Sequence, residues 1–166
     1  MAGNRDQGLD AASGPLIGKR ERMFKNIAVA YDESHEASRA LTAAIHLAKT
    51  LGVGLQTITV MEKLPAYTAF ATSADPSMLN VLEEDRSKYY EHMQVTARAL
   101  ALREGVELTT HLVDGETVDG IVNFVFEHKI DLLVIGLHRR HDRLSRIWST
   151  VYTIAQNVPC SVFGVH

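Results

Sequence analysis

Two hydrophobic spacings alternate along this chain: short β-branched apolar runs, and longer stretches whose apolar residues return every three or four positions. The first spacing belongs to strands and the second to amphipathic helices. KNIAVAY at 25–31 predicts a first strand, followed by a polar turn at 32–34 and a helix through Leu51 with Ser34 as N-cap. In that helix Ala37, Leu41, Ala44, Ile45 and Ala48 recur at helical spacing, and Gly52 supplies the stop. GLQTITVM at 54–61 predicts a second strand. A long connection of polar and small residues over 64–76 then leads to a helix over 77–103, stopped by Gly105.

ELTTHLV at 107–113 predicts a third strand, and Asp114-Gly115-Glu116 leads into a helix over 118–129 with Ile121, Val122, Val125 and Phe126 as its buried stripe. DLLVIGL at 131–137 is almost wholly apolar, as a strand buried on both faces should be, and is the best candidate for a central strand. A charged stretch over 138–146 separates it from a helix over 150–157, and Pro159 precedes a last strand, CSVFGV at 160–165. Five strands interleaved with four helices predict an α/β fold, an open doubly wound parallel sheet with helices on both faces. Ligands of such sheets bind beyond the carboxyl ends of the strands, at a topological switch point.

A length of 166 residues, 46% hydrophobic and 22% charged, fits one soluble globular domain. The formal net charge of −3 leaves no basic excess for nucleic acid or acidic lipid, so neither is an expected partner. Cys160 is the only cysteine, which excludes an internal disulfide and thiolate-rich zinc sites and suits a cytoplasmic protein. No run approaches the ~20 apolar residues of a membrane span. Residues 1–22 combine Gly3, Gly8, Gly14, Pro15 and Gly18 with charges of both signs and lack the apolar centre of a signal peptide. They predict a flexible arm, with the folded domain over 23–166.

NIAVAYDES, DLLVIGLH and VPCSVFGVH, in this order over 23–166, resemble the universal stress protein family. The resemblance implies strand order 3-2-1-4-5, the adenine nucleotide alpha hydrolase-like arrangement, and a homodimer. It also implies that ATP or another adenine nucleotide is a possible cofactor, since some members bind ATP and others do not. Asp32 stands where nucleotide-binding members place an aspartate against the ribose or adenine; a carboxylate there either accepts from sugar hydroxyls or orders its own turn. Val60 stands where the family's backbone meets the adenine, or simply completes a buried strand. The family's phosphate loop sets three glycines before a serine or threonine. Here its spacing survives as Gly136, Arg139, Ser149 and Thr150, with arginine and serine at the second and third glycine positions. Side chains at such positions change the backbone or fill the volume of a triphosphate, which points away from ordinary ATP binding.

The same loop gathers His138, Arg139, Arg140, His141, Arg143 and Arg146 against Asp142 alone. It reads either as a solvated basic surface or as guanidinium forks that hold an anion. The candidate nucleotide or anion site is therefore Asp32, Val60, Gly136, His138, Arg139, Arg140, Ser149 and Thr150. No motif declares a metal site or a catalytic set, and Cys160 reads as a core residue. Two functions follow: a stress-response binding and interaction protein without ordinary ATP binding, or an adenine-nucleotide switch or very slow ATPase with a modified loop. The uncharged 160–165 run, with no internal proline, predicts a homodimer paired through the last strand.

Overall fold

The computed structural model describes residues 23–63, 77–138 and 150–166. The expected arm at 1–22, the connection at 64–76 and the arginine loop at 139–149 lie outside the described residues. In chain order the elements are β1 (Ile27–Ala30), α1 (His35–Leu51), β2 (Leu55–Met61), α2 (Ser77–Arg103), β3 (Leu108–Asp114), α3 (Thr117–Glu127), β4 (Leu132–Gly136), α4 (Thr150–Asn157) and β5 (Ser161–Val165). They build one parallel five-stranded sheet in the order β3-β2-β1-β4-β5, the order expected.

Alternation along the inner strands sends side chains into two cores. On one face Ile27, Val29, Leu55, Leu132 and Val134 pack under Ala37, Leu41, Ala44 and Ile45 of α1 and Met93, Ala97 and Ala101 of α2. On the other, Ala28, Ile58, Leu133 and Ile135 pack under Ile121, Phe124 and Val125 of α3 and Ile154 of α4. The predicted α1 stripe is wholly buried, with Ser34 Oγ accepting from Ala37 N at 3.1 Å and Gly52 in the left-handed conformation at φ 63°.

β4 is an interior strand as expected, buried on both faces and paired with β1 and β5. Two expectations are corrected. The α3 stripe is Gly120, Ile121, Phe124 and Val125, while Phe126 is 57% exposed, because the helix begins at Thr117 and its rotation brings Phe124 over the sheet. Cys160 is half-buried against the edge of the second core rather than within it, and burial raises its thiol pKa.

At the amino ends of β1 and β4 one carboxylate joins two distant segments. Asp131 Oδ2 accepts from Lys25 N at 2.8 Å and Oδ1 from Asn26 N at 3.1 Å, while Asn26 Nδ2 donates to Lys129 O at 3.0 Å.

Near the β3 edge His111 packs its ring against Phe124 and His128, with centroids 4.9 and 4.6 Å away, and its Nε2 lies 3.0 Å from Gln56 Oε1. His128 Nδ1 donates to Phe124 O at 3.1 Å, closing the end of α3. Burial, and next the neighbouring His128, hold the His111 pKa below its ordinary value of 6.5. The unfolded chain therefore binds a proton at His111 before the folded one does. This group leaves stability unchanged well above pH 6.5 and erodes it as pH falls below that value towards the depressed one. Urea midpoints measured down the acid range should fall less steeply for His111→Gln; equal slopes would remove His111 from the acid response.

Candidate functional site

A crevice of about 880 Å³ opens at the carboxyl ends of β1, β2 and β4. It lies at the switch point, where the chain leaves β1 towards β2 on one side and β4 towards β5 on the other. Its apolar wall includes Ala30, Ile58, Val60, Ile121, Ile135 and Ile154. The polar rim comes from the turn after β1, the end of β2, the start of α3 and the segment after β4.

Of the candidate residues, the fold brings Asp32, Val60, Gly136, His138 and Thr150 to this one crevice. Arg139, Arg140 and Ser149, with His141, Arg143 and Arg146, lie outside the described residues. The described residues that flank them in sequence, His138 and Thr150, both line the crevice.

Both proposed uses of Asp32 bear on its geometry. Its Oδ1 accepts from Ser34 N at 3.0 Å, an Asx turn that sets up the α1 cap, and the side chain is otherwise exposed at the rim. Between them Glu33 takes a left-handed φ of 60°, a costly conformation for a residue with a side chain. Tyr31, just before, is tied through its backbone: its N donates to Ile58 O at 3.0 Å and its carbonyl accepts from Thr59 Oγ1 at 2.7 Å. Burial, then the nearby Glu33 carboxylate, raises the Tyr31 hydroxyl pKa, so Tyr31 stays a neutral donor.

Gly136 has a packing role that its place in the loop pattern did not disclose. A Cβ built on it would stand 2.4 Å from the Glu36 carbonyl carbon and 2.7 Å from Ala37 N. The first turn of α1 occupies that space, so glycine is required by the helix–sheet contact itself. Glu36 then reaches around the crossing: Oε2 is 3.2 Å from His138 Nδ1 and Oε1 is 3.7 Å from an Arg39 guanidinium nitrogen.

The described rim of the crevice holds the carboxylates of Asp32, Glu62, Glu116 and Asp119, with His138 and no lysine or arginine. Thr117 Oγ1 donates to Glu62 Oε1. Against these negative charges stand the amino ends of α1, α3 and α4, all directed at the crevice through Ser34 and Ala37, Thr117 and Val118, and Thr150 and Val151. Each contributes the positive end of a helix dipole, and Glu116 at the α3 N-cap forms no side-chain cap bond. Such a site suits an apolar, flat ligand with limited negative charge. Among the described residues no group of three or more His, Cys, Asp or Glu is placed to hold a metal ion.

Several crevice residues escaped the sequence reading: Glu62, Glu116, Thr117, Asp119 and Tyr90. The first four follow strand ends or open a helix, so the carboxyl-end rule itself could have marked them. Tyr90 comes from the middle of α2, and no sequence signal places it there.

The family model "Universal stress protein family" matches residues 23–166. Universal stress protein YxiE of Bacillus subtilis is 28% identical over 121 residues, covering 69% of this chain and 79% of that protein. The universal stress protein UspA from Lactobacillus plantarum superposes with a TM-score of 0.70 at 22% identity, over 86% of this chain and 98% of that one. A universal stress protein solved in complex with cAMP superposes with a TM-score of 0.68 at 23% identity, over 87% and 98%.

Proposed function

The chain belongs to the universal stress protein family, and from that premise we propose that it is a cytoplasmic stress-response binding and interaction protein. Its crevice receives an adenine nucleoside or mononucleotide rather than ATP, and it works by occupancy without turnover. The observation that carries this reading is the balance in the crevice: an apolar wall for a base, three helix amino ends for one phosphate, and four rim carboxylates that oppose a triphosphate. A protein of the same fold takes cAMP, a ligand of this size and charge. The side chains at Arg139 and Ser149, where the family pattern has glycine, further support the exclusion of ATP.

Calorimetry with adenosine, AMP, cAMP and ATP with Mg²⁺ tests it. The mononucleotides are expected to bind, with ATP at least about tenfold weaker, a difference of about 1.4 kcal/mol. Arg139→Gly combined with Ser149→Gly should narrow that gap. Asp32→Asn keeps an oxygen for Ser34 N while removing the charge, and should weaken adenosine binding if the carboxylate meets the ribose. ATP as the tightest ligand of the unaltered protein, or no nucleoside binding at all, would reject the reading.

We further propose that the protein is a homodimer paired through β5. That strand is at the sheet edge, carries no charge, and exposes Phe163. Val162→Pro removes a backbone donor, so light scattering on a dilution series should show a shift towards monomer. A dimer indifferent to changes along β5 would send assembly elsewhere.

A further inference from the structure

We propose that the outer edge of β3, with the groove beside it, docks an extended lysine- or arginine-rich segment of a partner protein as a sixth strand.

β3 is the other edge of the sheet, and among the described residues it pairs on one side only, with β2. Its seven residues, LTTHLVD, include no proline, no lysine and no bulge in the register, the devices that usually blunt an edge. Leu112 on it is 37% exposed. Among the described residues the strand therefore presents a row of amide and carbonyl groups with no ladder partner, long enough to align an added chain.

The space beside that row is shaped and charged. A cavity of about 460 Å³ runs from Thr110 to Gly115 along β3 and across to Asn123 and Glu127 of α3. It exists because α3 lies over β2: Gly120 sits so close that a Cβ there would stand 3.0 Å from Val60 Cγ2, which leaves the β3 side uncovered. Among the described residues the lining carries Asp114, Glu116, Asp119 and Glu127, and no lysine or arginine. Its remaining titratable groups are His111 and His128, packed ring against ring above Gln56 and Phe124. The charged side chains of the described lining are therefore all carboxylates apart from these imidazoles, so charge complementarity selects a basic occupant. Alternate residues of an added strand face the groove, which suits a segment with basic side chains at every second position.

Fluorescence anisotropy with a labelled peptide alternating lysine and valine tests this on the full chain. Saturable binding is expected near neutral pH. Asp114→Lys with Glu127→Lys should cost about tenfold or more in affinity; both residues line this groove and not the crevice, so adenosine binding should survive in the same variant. Glu127→Lys alone, on the exposed face of α3, keeps the test open should the double variant misfold. A peptide N-methylated at alternate residues should fail to bind, because it lacks the amides that pair with the edge. Equal binding of the N-methylated peptide, binding of spermine as tight as that of the peptide, indifference to the charge reversals, or dimer dissociation in the variants would each overturn the proposal. The last outcome would assign the edge to a second copy of the chain.

Discussion

Gly136→Ala should lower the melting temperature of the ligand-free protein by roughly 6–12 °C, the equivalent of about 3 kcal/mol at about 2–4 °C per kcal/mol for a chain of this size. The added methyl would stand 2.4 Å from the Glu36 carbonyl carbon, 2.6 Å from its oxygen and 2.7 Å from Ala37 N. Those are main-chain atoms of the first turn of α1, and no rotamer change can move them. The turn is held from both ends, by the Ser34 cap and by the burial of Ala37, Ala40 and Leu41. The helix must therefore shift as a body or the sheet must deform. Gly164→Ala is the control: its nearest collision, at 2.5 Å, is with Leu137 Cδ1, the tip of a side chain that can rotate away, so its melting shift should be clearly smaller. A ligand-free Gly136→Ala protein that melts like the parent, with only nucleotide affinity reduced, would return this glycine to a phosphate-binding role.

The second large effect lies three residues earlier in the same strand. Leu133 is 0% exposed, beneath α3 and α4, and Leu133→Ala should cost about 2–5 kcal/mol by leaving a sealed cavity. Domain stabilities are typically about 5–15 kcal/mol, so much of the reserve would go. Ile135 points to the same face but forms part of the crevice wall, so truncating it enlarges a space open to water. Ile135→Ala should fall at or below the low end of that range and change nucleoside affinity instead. Guanidinium titrations at constant slope would separate the two; a reversed order would place the crevice wall deeper in the core than its exposure to the opening implies.

Much of this fold was written in local patterns. The 27-residue α2 runs from Ser77 to Arg103 as its flanking residues predicted, and Ser34 caps α1 as its place before an alanine-rich stripe required. Local pattern failed where the answer depended on what lies opposite. Phe126 and Phe124 are both plausible stripe residues until the start of α3 is fixed, and only the helix rotation decides that Phe124 is inside. The apolar DLLVIGL run, by contrast, did mark an interior strand: β4 pairs with β1 on one side and β5 on the other.

For the site, the carboxyl-end rule correctly gathered Asp32, Val60, Gly136, His138 and Thr150 around one opening. It could not tell that the missing side chain of Gly136 makes room for a helix backbone. Nor could it foresee that Glu36 would meet His138, since those residues become neighbours only through that same close crossing. The His111–His128 pair was equally silent, resting on the approach of a helix end to a strand edge.

The Asp131 carboxylate and the β1–β4 pairing beside it have a consequence for synthesis. The residues they join are 105 and 106 positions apart, with β2, α2 and β3 between them. At about 5–20 residues per second, β1 waits roughly 5–20 s after emerging from the ribosome before its second neighbour exists. During that time the half-sheet of β1, β2 and β3 can assemble, but Ile27, Ala28 and Val29 form a temporary border that in the finished protein is the middle of the sheet. This border is the most apolar edge the nascent chain presents. A chaperone that shields nascent strands should therefore engage ribosome-bound chains ending before residue 132 far more strongly than those extended past β4.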